Sequence, residues 1–402
     1  MLKAVSCFAL CAVVCACLSS CGTANSASGG GGGSGTTPAS TEYLYSVAED
    51  TIEVYKVNTG SGNLSLVQNL QPPDQNQGLG SSAVFKQGNN QYLFVVAPLA
   101  EGIYAFSIGS DGNLTSLNDT PYTVPQSISS SPQIGTLMPS SDGTHLYALD
   151  VSGSIYVITV GSTGAITYDS LVRPSSLEIG FGYDAVLDPS GQSIYYTTDG
   201  ISEFNQLGDD YSAILGYSLD PSTGAPTPMS APSIVLPPNS QPVFITNDPT
   251  GQFYYVGLEN SDTIAAFSQD SSTGVFTEAA GSPYTAGASG AQITGFAMHP
   301  SGKYLYTVDG STGGILGYAI NSSTGALTPL PGSPFPAQTA SNEVGTQGPL
   351  AVDPSGNLLL VSMNGSYTAI YKINQSTGAL SVAGSPQSTQ GGLETFSFLT
   401  MN

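Results

Sequence analysis

Short runs of apolar and aromatic residues recur along the chain at nearly constant spacing, and each is followed by a turn signal rich in Ser, Thr and Gly. The central residues of successive runs are separated by 49, 53, 48, 60, 51 and 54 positions. The runs are YLY at 43–45, YLF at 92–94, HLY at 145–147, IYY at 194–196, FYY at 253–255, YLY at 304–306 and LLL at 358–360. The turn glycines keep the same register, at Gly62, Gly112, Gly164, Gly224, Gly274, Gly325 and Gly378. Two markers that stay in step through seven units indicate an internal repeat.

Each unit divides into several short strands. In the sixth unit, the alternation of apolar and polar residues predicts strands at 293–299, 303–309, 314–320 and 327–333. Glycine supplies the positive φ that the tight turns between them need. A period near 50 residues with several strands is typical of a propeller blade. The chain is therefore predicted to be all-β, a seven-bladed β-propeller of four-stranded blades.

The phrase MHPSGKYLYTVD at 298–309 has relatives at 187–199, 247–259 and 352–364. We interpret it as the inner hairpin of each blade, and its PSG turn as structural rather than as an active-site loop. The aspartates of this turn are placed to accept backbone N–H groups; they are Asp188, Asp248 and Asp353. His299 takes the aspartate position in the sixth unit, and His145 opens the HLY strand. Both histidines are expected to be structural.

The two ends of the repeat complete each other. The first unit begins directly at its second strand, and the chain continues past the seventh unit to 393–402. In this tail Phe396 and Phe398 correspond to Phe296 and Met298 of the sixth unit. The C-terminus is therefore predicted to supply the first strand of blade one, which closes the ring and removes exposed sheet edges.

The first 40 residues have a different character. Residues 1–20 carry one lysine, an apolar run and then small residues, as a secretory signal peptide does. The end of this segment, LSSC, resembles the lipobox of bacterial lipoproteins. The resemblance implies cleavage before Cys21 and its lipidation; an ordinary signal peptide with an incidental cysteine is the alternative. Residues 21–40 are predicted to be a flexible tether rich in Gly and Ser, and residues 41–402 the propeller.

Charge restricts the partners. The chain has 28 acidic and 6 basic residues, with a formal net charge of −22. Nucleic acid needs clustered lysine and arginine, so it is excluded as a partner, and an anionic membrane surface would be repelled. Contact with a membrane is therefore expected through the lipid anchor only. We expect a monomer in the bacterial cell envelope, anchored outside the cytoplasm, at the outer membrane or facing the periplasm.

The HPSGKYLY hairpins and the outer hairpin STGALTPLPGSPF resemble the seven-bladed lactonase family, over about residues 41–402. The family includes propeller-type phosphogluconolactonases and carboxymuconate-lactonizing enzymes. The resemblance implies a central funnel in which arginines hold an anionic substrate while His and acidic side chains transfer protons. The family's G-x-G-P-R-H-like stretch would correspond here to 180–184 and 345–350, where Tyr-Asp and Pro-Leu replace Pro-Arg-His.

Few residues remain for such chemistry. Arg173 is the only arginine of the sequence and lies near Glu178, between the third and fourth units. Arg173 would bind a substrate anion, or it would form a structural ion pair with Glu178. A general base would be Asp184 or Glu178, on condition that burial raises its pKa. The predicted catalytic set is Arg173, Glu178 and Asp184.

The loops between the second and third strands are acidic and are expected to surround the funnel mouth. Their acidic residues are Glu49, Asp50, Glu101, Asp150, Asp199, Glu203, Asp209, Asp210, Glu259, Asp262 and Asp309. We interpret them as a solvated acidic face, with a divalent cation held by the carboxylates as the alternative. No other cofactor is expected.

Two functions follow from these observations. One is a binding module of the cell envelope that uses the acidic face to contact a small molecule or a protein. The other is a hydrolase of a sugar lactone, like the phosphogluconolactonases. The family resemblance favours the hydrolase, but a fold alone does not fix function, and the scarcity of arginine and histidine favours the binding module. The sequence therefore predicts the binding module, with the lactone hydrolase as the alternative.

Overall fold

In the computed structural model, the described residues are 41–48, 50–72, 78–125, 133–173, 181–201, 211–229, 234–271, 273–287, 292–338, 346–363, 367–389 and 395–401. They form seven antiparallel sheets and two short 3₁₀ helices, Pro98–Ala100 and Glu259–Ser261. Each sheet corresponds to one repeat unit, and the C-terminal strand completes the first of them. The prediction of an all-β, seven-bladed propeller is confirmed. No helix within these ranges is long and apolar enough to cross a membrane.

The strands follow the chain in blade order. Blade one contains β1 (Thr41–Ala48), β2 (Thr51–Val57) and β3 (Leu64–Leu70). Blade two contains β4 (Ser82–Gln87), β5 (Asn90–Ala97), β6 (Gly102–Ile108), β7 (Leu114–Ser116) and β8 (Tyr122–Thr123). Blade three contains β9 (Ile134–Pro139), β10 (His145–Asp150), β11 (Ile155–Val160) and β12 (Ile166–Val172). Blade four contains β13 (Phe181–Leu187), β14 (Ser193–Ile201), β15 (Tyr211–Leu219), β16 (Pro226–Pro228) and β17 (Ile234–Leu236).

The remaining blades have the same plan. Blade five contains β18 (Pro242–Asn247), β19 (Phe253–Leu258), β20 (Thr263–Gln269), β21 (Phe276–Glu278) and β22 (Tyr284–Thr285). Blade six contains β23 (Ile293–Met298), β24 (Tyr304–Asp309), β25 (Ile315–Ile320) and β26 (Leu327–Pro329). Blade seven contains β27 (Thr346–Val352), β28 (Leu358–Met363), β29 (Tyr367–Ile373), β30 (Leu380–Val382) and β31 (Gln387–Ser388). The last strand is β32 (Thr395–Met401).

A central channel is formed by the first strand of every blade. Going round the ring, the strands that contact one another in sequence are β32, β4, β9, β13, β18, β23 and β27, and β27 contacts β32 again. The second, third and fourth strands of each blade then extend outward in chain order. A side chain on a first strand therefore lies in the channel wall, against the neighbouring blades.

The ring is closed by the C-terminal strand, as the sequence predicts. β32 pairs antiparallel with β1, and Phe398 lies opposite Leu44. The corresponding pair in blade six is Met298 opposite Leu305, so the two blades share one register. The correspondence of Phe398 with Met298 is thereby confirmed.

The fourth strand of blade six is shorter than predicted: β26 ends at Pro329 rather than at residue 333. The strand ends there because a backbone N–H of the neighbouring strand β25 is bound by the side chain of Ser333 instead of by a backbone carbonyl of β26. The Ser333 hydroxyl accepts the backbone N–H of Gly317 at 3.0 Å. In blades two, four, five and seven the chain then returns as a second short strand on the same third strand, so those sheets have five strands.

The hydrophobic core lies between the blades rather than within them. Each apolar cluster combines residues of two neighbouring blades, as in the packing of Tyr306 and Val308 against Leu359 and Val361. A blade can therefore bury its apolar side chains only by stacking on the next one. This requirement explains why the strand pattern repeats.

The tyrosine run of one blade is hydrogen-bonded to the STG-type turn of the next blade at several joints. Tyr306 of the YLY run donates its hydroxyl to the carbonyl of Gly378 in the next blade at 2.7 Å. The same bond links Tyr45 to Gly112, Tyr147 to Gly224 and Tyr255 to Gly325. Gly378 has φ +71°, and a Cβ there would lie 2.5 Å from the ring of Tyr304. Only glycine fits so close to the tyrosines.

The PSG turn is structural, as expected. Asp353 accepts the backbone N–H of Leu358 at 2.6 Å, and Asp248 accepts that of Phe253 at 2.8 Å. In blade six His299 replaces this aspartate, and its Nε2 lies 3.0 Å from the carbonyl oxygen of Gly356 in blade seven. Burial lowers the pKa of His299.

Candidate active site

The two faces of the ring differ because the strands alternate in direction. The PSG and STG turns lie on one face, which we call the turn face. The loops between second and third strands lie on the opposite face, as do the connections from one blade to the next. We call this second face the mouth face. A substrate entering the channel from the mouth face would meet these loops first.

Asp184 is a buried carboxylate in the channel wall, midway along β13, with 3% of its surface exposed. Its Oδ1 accepts the backbone N–H of Ala185 at 2.8 Å, and its Oδ2 accepts that of Ile245 at 3.1 Å. The hydroxyl of Thr136 donates to Oδ1 at 3.4 Å. Because Thr136 belongs to blade three and Ile245 to blade five, Asp184 joins three consecutive blades.

Burial is the main influence on the acidity of Asp184. It raises the pKa of the carboxyl to about 7, although the hydrogen bonds from Ile245, Ala185 and Thr136 each favour the charged form. The condition set for Asp184 as a general base, a pKa raised by burial, is met. A carboxyl that is about half ionised near neutral pH can both accept and return a proton.

The predicted acidic face is only partly exposed. Within the described residues, Asp50 and Glu101 are exposed, whereas Asp199, Glu259 and Asp262 are half-buried. Glu101 and Asp262 each follow a 3₁₀ helix in the left-handed conformation, with φ of 50° and 51°. Glu259 has its pKa raised by burial and by the nearby charge of Asp262.

Asp150 and Asp309 are buried, so for them the expectation of a solvated surface is corrected. Asp150 accepts the N–H of Ser152 and the N–H of Ser154, both at 2.9 Å. Asp309 accepts the N–H of Ser311 at 3.0 Å. The backbone of each loop surrounds its own aspartate, which caps the turn instead of facing solvent.

Other predicted site residues are not brought together. Arg173 follows β12 at the outer edge of blade three and is exposed, and it is not a partner of the Asp184 carboxylate. Its role in binding an anion stays a prediction. The predicted residues that lie outside the described part are Cys21, Glu49, Glu178, Glu203, Asp209 and Asp210.

In the described ranges, no three His, Cys, Asp or Glu residues lie close enough together to hold a metal ion. Thr136 and the backbone of Ile245 are not identifiable as partners of Asp184 from the sequence. Their distance along the chain explains this, because only the stacking of blades brings them to the carboxylate.

A family model described as "Lactonase, 7-bladed beta-propeller" matches residues 188–393, half of the chain. The chain belongs to this lactonase family. No curated protein sequence matches it.

Solved structures share the fold of this lactonase-family chain. A putative 6-phosphogluconolactonase from Bacteroides uniformis has a TM-score of 0.68 at 19% identity, with 90% of this chain and 99% of that chain covered. A second one from Bacteroides fragilis has a TM-score of 0.68 at 17% identity, with 91% and 99% covered. The periplasmic gluconolactonase of Pseudomonas aeruginosa has a TM-score of 0.65 at 17% identity, with 90% and 99% covered. At these identities the similarity shows the fold alone.

Proposed function

We propose that the protein hydrolyses a lactone in the central channel, with Asp184 as the general base. The observation that carries the proposal is a carboxyl in the channel wall whose pKa is raised to about 7. Membership of the lactonase family supports it. So do three fold relatives, two named putative 6-phosphogluconolactonase and one named periplasmic gluconolactonase.

The chemistry needs one activated water. The carboxylate of Asp184 accepts a proton from water while the water oxygen bonds to the lactone carbonyl carbon. The ring C–O bond then breaks, and the proton passes from Asp184 to the departing alkoxide oxygen. The product is the open-chain hydroxy acid, which releases its own proton to solvent. Hydrogen bonds from Ile245 and Ala185 hold the carboxylate in place through both steps.

The test is hydrolysis of glucono-1,5-lactone by residues 41–402, followed by pH-stat above the spontaneous rate. Asp184→Asn keeps the shape of the side chain and removes the base. We expect kcat/KM to fall by about 10²- to 10⁴-fold in this variant, while circular dichroism confirms that it is folded. Turnover that survives unchanged in folded Asp184→Asn would remove Asp184 from the mechanism.

Binding through the acidic face is the second candidate function. The exposure of Asp50 and Glu101 on the mouth face favours it, because a basic partner or a cation would be attracted there. Lack of turnover on every lactone, together with binding of a basic peptide that is lost in Asp50→Asn/Glu101→Gln, would favour this candidate over the hydrolase.

We also propose that the protein is a lipoprotein of the cell envelope, anchored through Cys21. β1 begins at Thr41, which pairs with Met401 on the turn face. A tether joined there would attach to the side opposite the mouth, so the channel would open away from the membrane. Labelling of the full chain with a palmitate analogue, with Cys21→Ser as control, tests the anchor. Equal labelling of both proteins would contradict it.

A further inference from the structure

The distribution of basic residues bears on which lactones the channel can accept. The whole sequence has six basic residues, Lys3, Lys56, Lys86, Arg173, Lys303 and Lys372. One of them, Lys3, precedes the propeller. The four lysines of the propeller each lie within two residues of a PSG-type or STG-type turn, on the turn face. None of them is placed to meet a substrate that enters from the mouth face.

The loops of the mouth face carry acidic side chains and none of the four propeller lysines. Asp50 and Glu101 are exposed there, and Asp199, Glu259 and Asp262 are half-buried. Arg173 is the single basic residue at this end, and it lies at the outer edge of blade three. A phosphate or carboxylate bound in the channel is best held by fixed cations, and none of the four described lysines lies at the mouth end.

We infer that the channel selects uncharged lactones and disfavours phosphorylated or carboxylated ones. This inference rests on the proposed lactone hydrolysis and names its substrate class. The acidic mouth lowers the local concentration of an anion and leaves a neutral aldonolactone unaffected. An aldonolactone has only hydroxyl groups and a ring ester, and these require hydrogen bonds rather than charge.

The experiment compares glucono-1,5-lactone with its 6-phosphate at low ionic strength, using residues 41–402. We expect kcat/KM for the uncharged lactone to exceed that for the phosphorylated one by about tenfold or more. The variant Asp50→Asn/Glu101→Gln removes two negative charges from the mouth face. It should raise the ratio of kcat/KM for the phosphorylated lactone to kcat/KM for the uncharged lactone by about threefold or more, and added salt should abolish this change.

A matched control removes two charges from the opposite face. Asp220 and Asp270 are exposed and cap STG turns, as Asn321 and Asn374 do in other blades. The variant Asp220→Asn/Asp270→Asn should therefore fold and have the same net charge as the mouth variant. It should not change the preference for either lactone, since its charges lie far from the mouth.

The outcomes separate the two proposals. Preference for the phosphorylated lactone, or its selective loss in Arg173→Gln, would overturn the uncharged substrate class while lactone hydrolysis stands. Equal effects of the mouth and turn-face variants would overturn the role of the mouth charges. Hydrolysis of neither lactone would overturn the proposed function and the substrate class with it.

Discussion

Glu42 and Asp353 share a hydrogen bond between two buried carboxyl groups, at the joint where blade seven meets blade one. Glu42 lies on β1, and Asp353 lies in the PSG turn that follows β27. One carboxyl must be protonated to donate, and burial together with the charge of Asp353 raises the pKa of Glu42 to about 8. The other oxygen of Glu42, Oε2, is buried without a hydrogen-bond partner.

This joint also has the smallest apolar cluster of the described residues, with eight buried members against eleven to sixteen at the other six joints. It is the joint that the C-terminal strand closes. The joint with the smallest apolar cluster therefore contains the Glu42–Asp353 hydrogen bond, which forms only while one of the two carboxyl groups is protonated. Two other ionisable groups lie nearby, His299 and Lys303. Burial has the largest effect on the pKa of His299 and lowers it, whereas the charge of Asp353 raises it and the charge of Lys303 lowers it.

The first prediction concerns stability against pH. The pKa of Glu42 is raised in the folded state, so the folded protein binds more protons than the unfolded chain between about pH 4.5 and 8. The free energy of unfolding should therefore fall as pH rises through this window, and Asp184 adds a change of the same sign up to about pH 7. Glu42→Gln replaces the protonated acid by a neutral donor. It should increase the free energy of unfolding by on the order of 2 kcal/mol at pH 8.5 and change it little at pH 5.

Urea unfolding at both pH values measures this effect. Glu278→Gln is the matched control, because Glu278 is an exposed acid on β21. It should change the free energy of unfolding by less than about 0.5 kcal/mol at either pH. A pH dependence that is the same in Glu42→Gln and the natural protein would contradict the shared proton.

The second prediction concerns the bond between the two repeated phrases. Tyr306→Phe removes the hydroxyl that Tyr306 donates to Gly378 and leaves the ring in place. The carbonyl of Gly378 then loses this partner, so the free energy of unfolding should fall by about 1–2 kcal/mol. Tyr284→Phe, which removes a local, exposed bond to Ala280, is the control and should cost less than about 0.5 kcal/mol. Equal, small losses in the two variants would show that the interblade bond does not stabilise the ring.

The third prediction concerns ring closure. Deletion of residues 393–402 removes β32 and leaves the inner edge of β1 unpaired. We expect aggregation on size-exclusion chromatography and a large loss of melting temperature, because an open sheet edge pairs with other chains. The milder Phe396→Ala keeps the strand and should cost about 3–5 kcal/mol, since Phe396 is fully buried at the joint. A truncated protein that stays monomeric with an unchanged melting point would contradict the closure.

Local sequence patterns predict most of this fold. The spacing of the YLY runs predicts the blades, and the alternation of Phe396 and Phe398 predicts which strand closes the ring. The early end of β26 was missed because it depends on a side-chain bond from Ser333 to a strand that precedes it. The burial of Asp150 was also missed, although its local pattern, with Ser at 152 and 154, is that of an aspartate capping its own turn.

The candidate site is predictable only in part, because its key residue can be named from the sequence but its partners cannot. Asp184 is identifiable as a possible base because it lies in the stretch 180–184, which corresponds to the family's G-x-G-P-R-H-like stretch. Its raised pKa depends on burial against Thr136 and Ile245, which lie 48 and 61 residues away. No local pattern reports contacts of that range, so only the assembled ring shows them.

The last prediction links the rate to the ionisation of Asp184. A general base must be deprotonated, and its pKa is raised to about 7, so kcat/KM for the uncharged lactone should rise about tenfold per pH unit below 7 and level off above it. Thr136→Val removes a hydrogen bond that favours the carboxylate, so it should raise the pKa of Asp184. The rising part of the profile of kcat/KM against pH should therefore move to higher pH by several tenths of a unit. Initial rates between pH 5 and 8.5, corrected for spontaneous hydrolysis, measure both effects. If Asp184 were purely structural, the pH dependence of kcat/KM would be unchanged in Thr136→Val. A rise of kcat/KM with pH that persists in Asp184→Asn would assign the base to another group.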